Sequence, residues 1–208
     1  MIGQSNRVDQ QRWDRKYAGI EFEPTLPASQ FVAAELAGLP PGRALDLAAG
    51  HGRHTVWLAE NGWQVTAVDF SRVGLEQARK LGAARGVLGD QVDWVVADLS
   101  DYQPACGAFE LVLVAYLQVG VTLRARVLAG AVTALAPGGT LLVVGHDLAN
   151  LTEGAGGPRY PEVLYTPETI AAELRGLRIL RADRVRRPVE HDGRPATAID
   201  TLVRAERP

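Results

Sequence analysis

Three observations in the chain predict an α/β fold. The stretch Arg43–Thr55, RALDLAAGHGRHT, joins a short apolar run to a glycine turn and a helical segment. Further on, apolar runs alternate with segments of helical period. The chain closes with two alternating runs joined by a glycine-containing turn. Together these imply a doubly wound, Rossmann-like sheet of seven strands with helices on both faces, a three-layer sandwich. The sheet is expected to be mostly parallel, with an antiparallel C-terminal hairpin.

Taken in order, residues 1–23 predict an amphipathic helix in which Trp13 and Tyr17 share a face at i, i+4. That helix either packs on the body or closes over a cleft. Thr25–Ser29 opens a second helix with Phe31, Leu36 and Leu39 on its apolar face, ended by Pro40-Pro41-Gly42. Ala44–Ala48 reads as a strand buried on both faces, and Asp46 within it either caps local N–H groups or faces a ligand cleft. Gly50 and Gly52 then bring bare backbone close to a ligand at the start of a helix over 53–61. His51 and His54 belong to the same turn, as groups that shape the loop or stand near a cofactor.

Trp63–Val68 is the second strand, ending in Asp69, whose carboxylate can accept from both hydroxyls of a ribose; Phe70 can lie flat on an adenine. Ser71 is a natural N-cap for a helix over 72–85, closed by Gly86. A third strand over 91–97 leads to Asp98 and Leu99, beside the place of an adenine. Phe109–Val114 is strand four, leading into Ala115 and Tyr116, where Tyr116 is either a wall of a substrate pocket or a packed tyrosine. A helix over 122–135 and a Pro137-Gly138-Gly139 turn precede strand five, Thr140–Gly145, which ends at His146 and Asp147. Residues 148–165, with Tyr160, lack periodicity and suggest a functional loop or lid. Thr166-Pro167-Glu168 opens a helix, and Leu177–Val189 and Ala196–Ala205 form the closing pair around a turn at 190–193. The arginines at 178, 181, 184, 186 and 187 read as a solvated outer strand face or, alternatively, a site for an acidic partner.

With 208 residues, 47% of them apolar, the chain is expected to form one domain over 1–208. Its parts would be a helical cap (1–40), a cofactor-binding core (41–147), and a lid loop, helix and hairpin (148–208). The net charge of −2 demands neither nucleic acid nor an anionic membrane as partner. No signal-peptide core opens the chain, and the longest apolar run, Leu111–Val121, is too short to span a bilayer. The single Cys106 suits a reducing cytoplasm. The four histidines and one cysteine form no metal-ligand cluster. Nothing in the sequence specifies an oligomeric state.

A G-x-G-x-x-G dinucleotide fingerprint would need glycine at position 55, which is Thr55. The string ALDLAAGHGRH … VTAVDFS … VVADLSDY … PGG instead resembles the class I S-adenosylmethionine-dependent methyltransferases over nearly the whole chain. It is similar in particular to the bacterial tellurite-resistance and thiopurine (thiol) methyltransferase group, in which a W-D-x-x-Y segment recurs, here Trp13, Asp14 and Tyr17. Alanine stands at 48 where the pattern has glycine. The resemblance implies S-adenosylmethionine as cofactor and S-adenosylhomocysteine as product. By position it implies contacts from Asp46, Ala48, Gly50 and Gly52 to the methionine moiety, and from Asp69, Phe70, Asp98 and Leu99 to the nucleoside. It further implies contacts near Ala115 and Tyr116.

The function expected is in-line methyl transfer to a small-molecule acceptor, with Trp13, Tyr17 and Tyr160 as substrate contacts. A soft sulfur, selenium or tellurium nucleophile needs no base. An oxygen or nitrogen acceptor calls for one, and His146 is then the candidate, with Tyr116 beside it. A non-catalytic protein of the same fold and a nucleotide-dependent oxidoreductase are the alternatives.

Overall fold

The computed structural model describes residues 3–87 and 89–208, with side chains from residue 10 onward. Seven strands form a mixed sheet in the order β3-β2-β1-β4-β5-β7-β6. The chain divides into two compact units, residues 1–102 and 103–208.

In the first unit, α1 (Gly3–Ala18) and α2 (Gln30–Leu36) precede β1 (Arg43–Leu47), α3 (Arg53–Glu60), β2 (Gln64–Asp69), α4 (Arg72–Ala84) and β3 (Val92–Val96). β1 pairs with β2 and β2 with β3, all parallel, so Leu47 lies opposite Val68 and Asp69 opposite Val96. Leu45, Leu58 and Leu75 are wholly buried, each contributing about 1.5–3 kcal/mol. Ser71 caps α4 as its residue type predicts, accepting from the Gly74 N–H at 3.0 Å. α2 turns Val32 and Leu36 inward, leaving Phe31 and Leu39 only half-buried. β1 stops one residue early, because Ala48 leaves the strand with φ 63°.

In the second unit, β4 (Phe109–Ala115) and α5 (Val121–Ala134) lead into β5 (Leu135–His146), followed by α6 (Asn150–Glu153), α7 (Pro167–Glu173), β6 (Arg178–His191) and β7 (Arg194–Glu206). β4 and β5 are parallel, while β7 pairs antiparallel with both β5 and β6. Two expectations change here. Pro137-Gly138-Gly139 does not precede strand five but lies inside it. The three residues form a bulge that shifts the β4–β5 register between Phe109 and Leu111, with Gly138 at φ 75°. Gly138 donates to the Arg207 carbonyl and Arg207 to that of Gly139, so the bulge stays hydrogen-bonded.

The 148–165 stretch, expected to be irregular, carries α6 and a 3-10 turn at Pro161–Val163. Asn150 pins it, donating to the Gly156 carbonyl at 2.9 Å and accepting from the Ile199 N–H at 2.7 Å. Thr166 closes a capping box with Thr169 at the start of α7. The hairpin turn shortens to Asp192-Gly193, both with positive φ, the geometry that matches strand twist.

Candidate functional site

The glycine turn after β1 is built on three left-handed residues, Ala48 (φ 63°), Gly50 (φ 57°) and Gly52 (φ 82°). For alanine that conformation costs about 1–2 kcal/mol. Asp69, at the end of β2, holds the turn. Its Oδ2 accepts from the Gly50 N–H and its Oδ1 from the Ser71 N–H, both at 2.8 Å. Burial raises its pKa, against the pull of those two N–H groups. Asp46 accepts the Thr55 hydroxyl at 2.6 Å rather than capping backbone. Burial lifts its pKa to about 6 despite that bond. Gly52 packs against Ala78 of α4, so a side chain there would meet the helix.

α1 lies over this turn. The Tyr17 ring sits against Gly50 and Gly74, and a Cβ on Gly50 would come within 2.6 Å of its hydroxyl. Trp13 stacks on Tyr17 at 5.5 Å, and Lys16 lies over the Trp13 ring. Asp14 accepts the Ser71 hydroxyl, and Gln10 donates to the Phe70 carbonyl at 2.8 Å. The helix therefore packs, and what it packs on is the glycine turn. Burial, reinforced by the Asp69 carboxylate, pushes the Tyr17 phenol well up, which keeps it protonated. His51 is lowered to about 4 by burial and the nearby Arg53 and Lys16, and His54 is pushed well down for the same first reason. Both are neutral and weakly basic near pH 7, poorly suited to proton abstraction there.

Two features of the unit fit a nucleoside with a charged amino-acid tail. α3 begins at Gly52, whose missing side chain offers its first turn no cap. The His54 Nε2 is buried with no hydrogen-bond partner among the described residues. Phe70 and Leu99 are half-buried beside the strand ends. Asp98 spans its own turn, accepting from the Ser100 N–H at 2.8 Å.

In the second unit, Tyr116 follows β4 at φ 58° and donates its hydroxyl to Asp200 Oδ2 at 2.9 Å. Arg187 Nε donates to the same oxygen at 2.6 Å. His146 Nδ1 stands 3.3 Å from Asp200 Oδ1, a close approach off the line of a well-aligned hydrogen bond. The Tyr116 and His146 rings are 5.1 Å apart, and the Arg187 guanidinium lies 5.8 Å above Tyr116. Burial works to raise the Asp200 pKa, but His146 and Arg187 outweigh it and hold the carboxyl below its ordinary range. Ala115 is buried at the end of β4, whereas Tyr160 is 57% exposed.

No motif in the sequence marks Asp200. The signal was a carboxylate inside the buried run Ala198–Val203, where an unpaired charge is costly. Asp147 is similar: buried, it accepts from the Thr201 hydroxyl, the Ala149 N–H and Arg184. The arginine-bearing β6 is more than a solvated face, since each of its five arginines meets a carboxylate. The pairs are Arg178–Glu206, Arg181–Asp183, Arg184–Asp147, Arg186–Glu153 and Arg187–Asp200. Among the described residues, no three potential ligands gather to hold a metal, and no helix is long and apolar enough to cross a membrane.

Residues 44–139 match the family model of a methyltransferase domain. That stretch is similar to methyltransferase domains. It is 37% identical over 112 residues to a ubiquinone/menaquinone biosynthesis C-methyltransferase of Desulfotalea psychrophila, covering 53% of this chain and 44% of that protein. It is 32% identical over 111 residues to a ribosomal RNA small subunit methyltransferase C of Alcanivorax borkumensis, covering 51% and 33%. These matches span less than half the length of either relative. The fold is shared with the N-methyltransferase NodS of Bradyrhizobium japonicum, solved with S-adenosylhomocysteine. There the TM-score is 0.71 and the identity 19%, over 96% of this chain and 98% of that one. The matched stretch runs from within β1 and contains Asp46, the glycine turn, Asp69 and Asp98.

Proposed function

We propose that this chain transfers a methyl group from S-adenosylmethionine to a small-molecule acceptor. The observation that carries the reading is the glycine turn tied through Gly50 to the Asp69 carboxylate, within the residues that match the methyltransferase domain. Asp69 would take the ribose hydroxyls on its remaining lone pairs. The uncapped start of α3 would receive the carboxylate of the amino-acid tail, and Phe70, Asp98 and Leu99 would flank the adenine. Bound there, the cofactor supplies an electrophilic methyl group on a sulfonium. The protein contributes position and exclusion of water, effects worth up to about 7–11 kcal/mol. The acceptor side of the reading rests on Tyr116 and His146.

The net charge of −2 and the carboxylate partner of every β6 arginine favour a small acceptor over nucleic acid. A thiolate, selenide or telluride, the acceptors of the tellurite-resistance and thiopurine group, would be methylated without a base. The exposed thiol of Cys106 is consistent with a reducing cytoplasm as its setting.

Thermal-shift titration tests the cofactor half of the reading: S-adenosylhomocysteine should stabilise the protein and NADH should not. Stabilisation by NADH alone would overturn it. Incubation with labelled S-adenosylmethionine and a panel of thiols, phenols and amines tests the transfer. Tight binding with no turnover on any of them would make this a binding protein instead.

A further inference from the structure

We propose that Asp200 is a positioning residue that makes His146 a general base, so that the acceptor is a nitrogen or oxygen nucleophile that must lose a proton. The inference rests on the methyltransferase reading and narrows it. Asp200 is wholly buried on β7. One of its oxygens, Oδ2, is taken by the Tyr116 hydroxyl and the Arg187 Nε. The other, Oδ1, has no hydrogen-bond partner among the described residues except the approach of His146 Nδ1 at 3.3 Å.

A carboxylate so placed stabilises a proton on Nδ1 and leaves Nε2 as the basic nitrogen. The groups around the ring act together. Tyr116 flanks it from the end of β4, Arg187 reaches over from β6, and the backbone at Gly157 closes against the imidazole, where a Cβ would come within 3.0 Å of Nδ1. The ring has little freedom to turn, and the side chain is only 11% exposed.

In the step itself, the acceptor lone pair forms the new bond to the methyl carbon. The carbon–sulfur bond breaks with its pair left on sulfur, which becomes a neutral thioether. The acceptor's proton passes to Nε2, and the imidazolium that results faces Asp200. A thiolate, already ionised near neutral pH, would leave this dyad without work.

Long-range proton–nitrogen correlation spectra of the full chain test the positioning directly. His146 should hold its proton on Nδ1 in the wild type and lose that preference in Asp200→Asn. Labelled S-adenosylmethionine with phenol, benzylamine and thiophenol tests the chemistry. With phenol or benzylamine, His146→Gln should lower kcat about 10²-fold or more with little change in KM. Asp200→Asn should lower it less and move the acidic limb of the pH profile to lower pH. The proposal is overturned by a wild-type His146 protonated on Nε2. Methylation of thiophenol alone, equally fast in His146→Gln, overturns it too. If none of the three acceptors turns over, the tautomer decides. Failure of S-adenosylhomocysteine to bind sinks the underlying reading while leaving the tautomer result standing.

Discussion

Asp69 and Asp200 are both buried carboxylates, and their partners divide them. Asp69 accepts backbone N–H bonds from Gly50 and Ser71, and burial leaves its pKa raised. Asp200 faces a guanidinium, a phenol and an imidazole, and its pKa is lowered. Neutral N–H groups compensate only part of the lost hydration of a carboxylate, whereas a cation and an imidazole restore more of it. The first arrangement shapes a loop. The second orients side chains, which is the work a reaction requires.

The largest test of that contrast is Asp200→Ala. It would leave Arg187 facing no carboxylate at that site and should cost about 3–5 kcal/mol in urea unfolding. A loss below 1 kcal/mol would mean that the cluster is no better than a surface pair.

Next comes pH. The folded Asp46 titrates at about 6, above its ordinary value of 3.8, so the native state holds a proton there that the unfolded chain has released. Stability from this group is present below about pH 4 and is lost as pH rises through 6. Asp46→Asn removes the dependence, and its stability relative to wild type should improve by about 2 kcal/mol between pH 4 and pH 7. Parallel curves for the two proteins would show that Asp46 is not the titrating group.

Asp69→Asn keeps one acceptor and turns an amide donor toward Gly50 or Ser71, a mismatch expected to cost about 1–3 kcal/mol. The same variant should weaken S-adenosylhomocysteine binding in a calorimetric titration. Unchanged affinity would separate loop shaping from ligand holding.

Smallest is Ala48→Gly. It relieves the left-handed alanine but adds unfolded-state entropy, for a net gain of about 0–1.5 kcal/mol. A melting temperature that falls would show that the Ala48 methyl packs usefully.

Much of the frame was legible because its signals are local. Ser71, Thr166-Pro167 and Asp192-Gly193 specify caps and a turn through their own side chains and permitted φ. Pro137–Gly139 reads as a turn for the same reason: locally the residues do turn, and only the pairing of β5 with β4 and β7 carries the strand through them. The candidate site divides likewise. Asp69 and the glycines announce themselves by position after apolar runs. Asp200, Arg187 and His146 lie 13 to 54 residues apart, and no short pattern relates them.

By itself the sequence determined the alternation of strands and helices, the glycine turn and the acidic ends of the first three strands. Those follow from periodicity and from the conformations that each residue type allows. Only the tertiary structure decided what each carboxylate meets: Thr55 for Asp46, backbone for Asp69, and Arg187, Tyr116 and His146 for Asp200. The reason is that a buried charge takes its character from neighbours across the fold, and strand register, which brings Arg187 opposite Ala198 and His146 opposite Asp200, is set by the packing of whole strands.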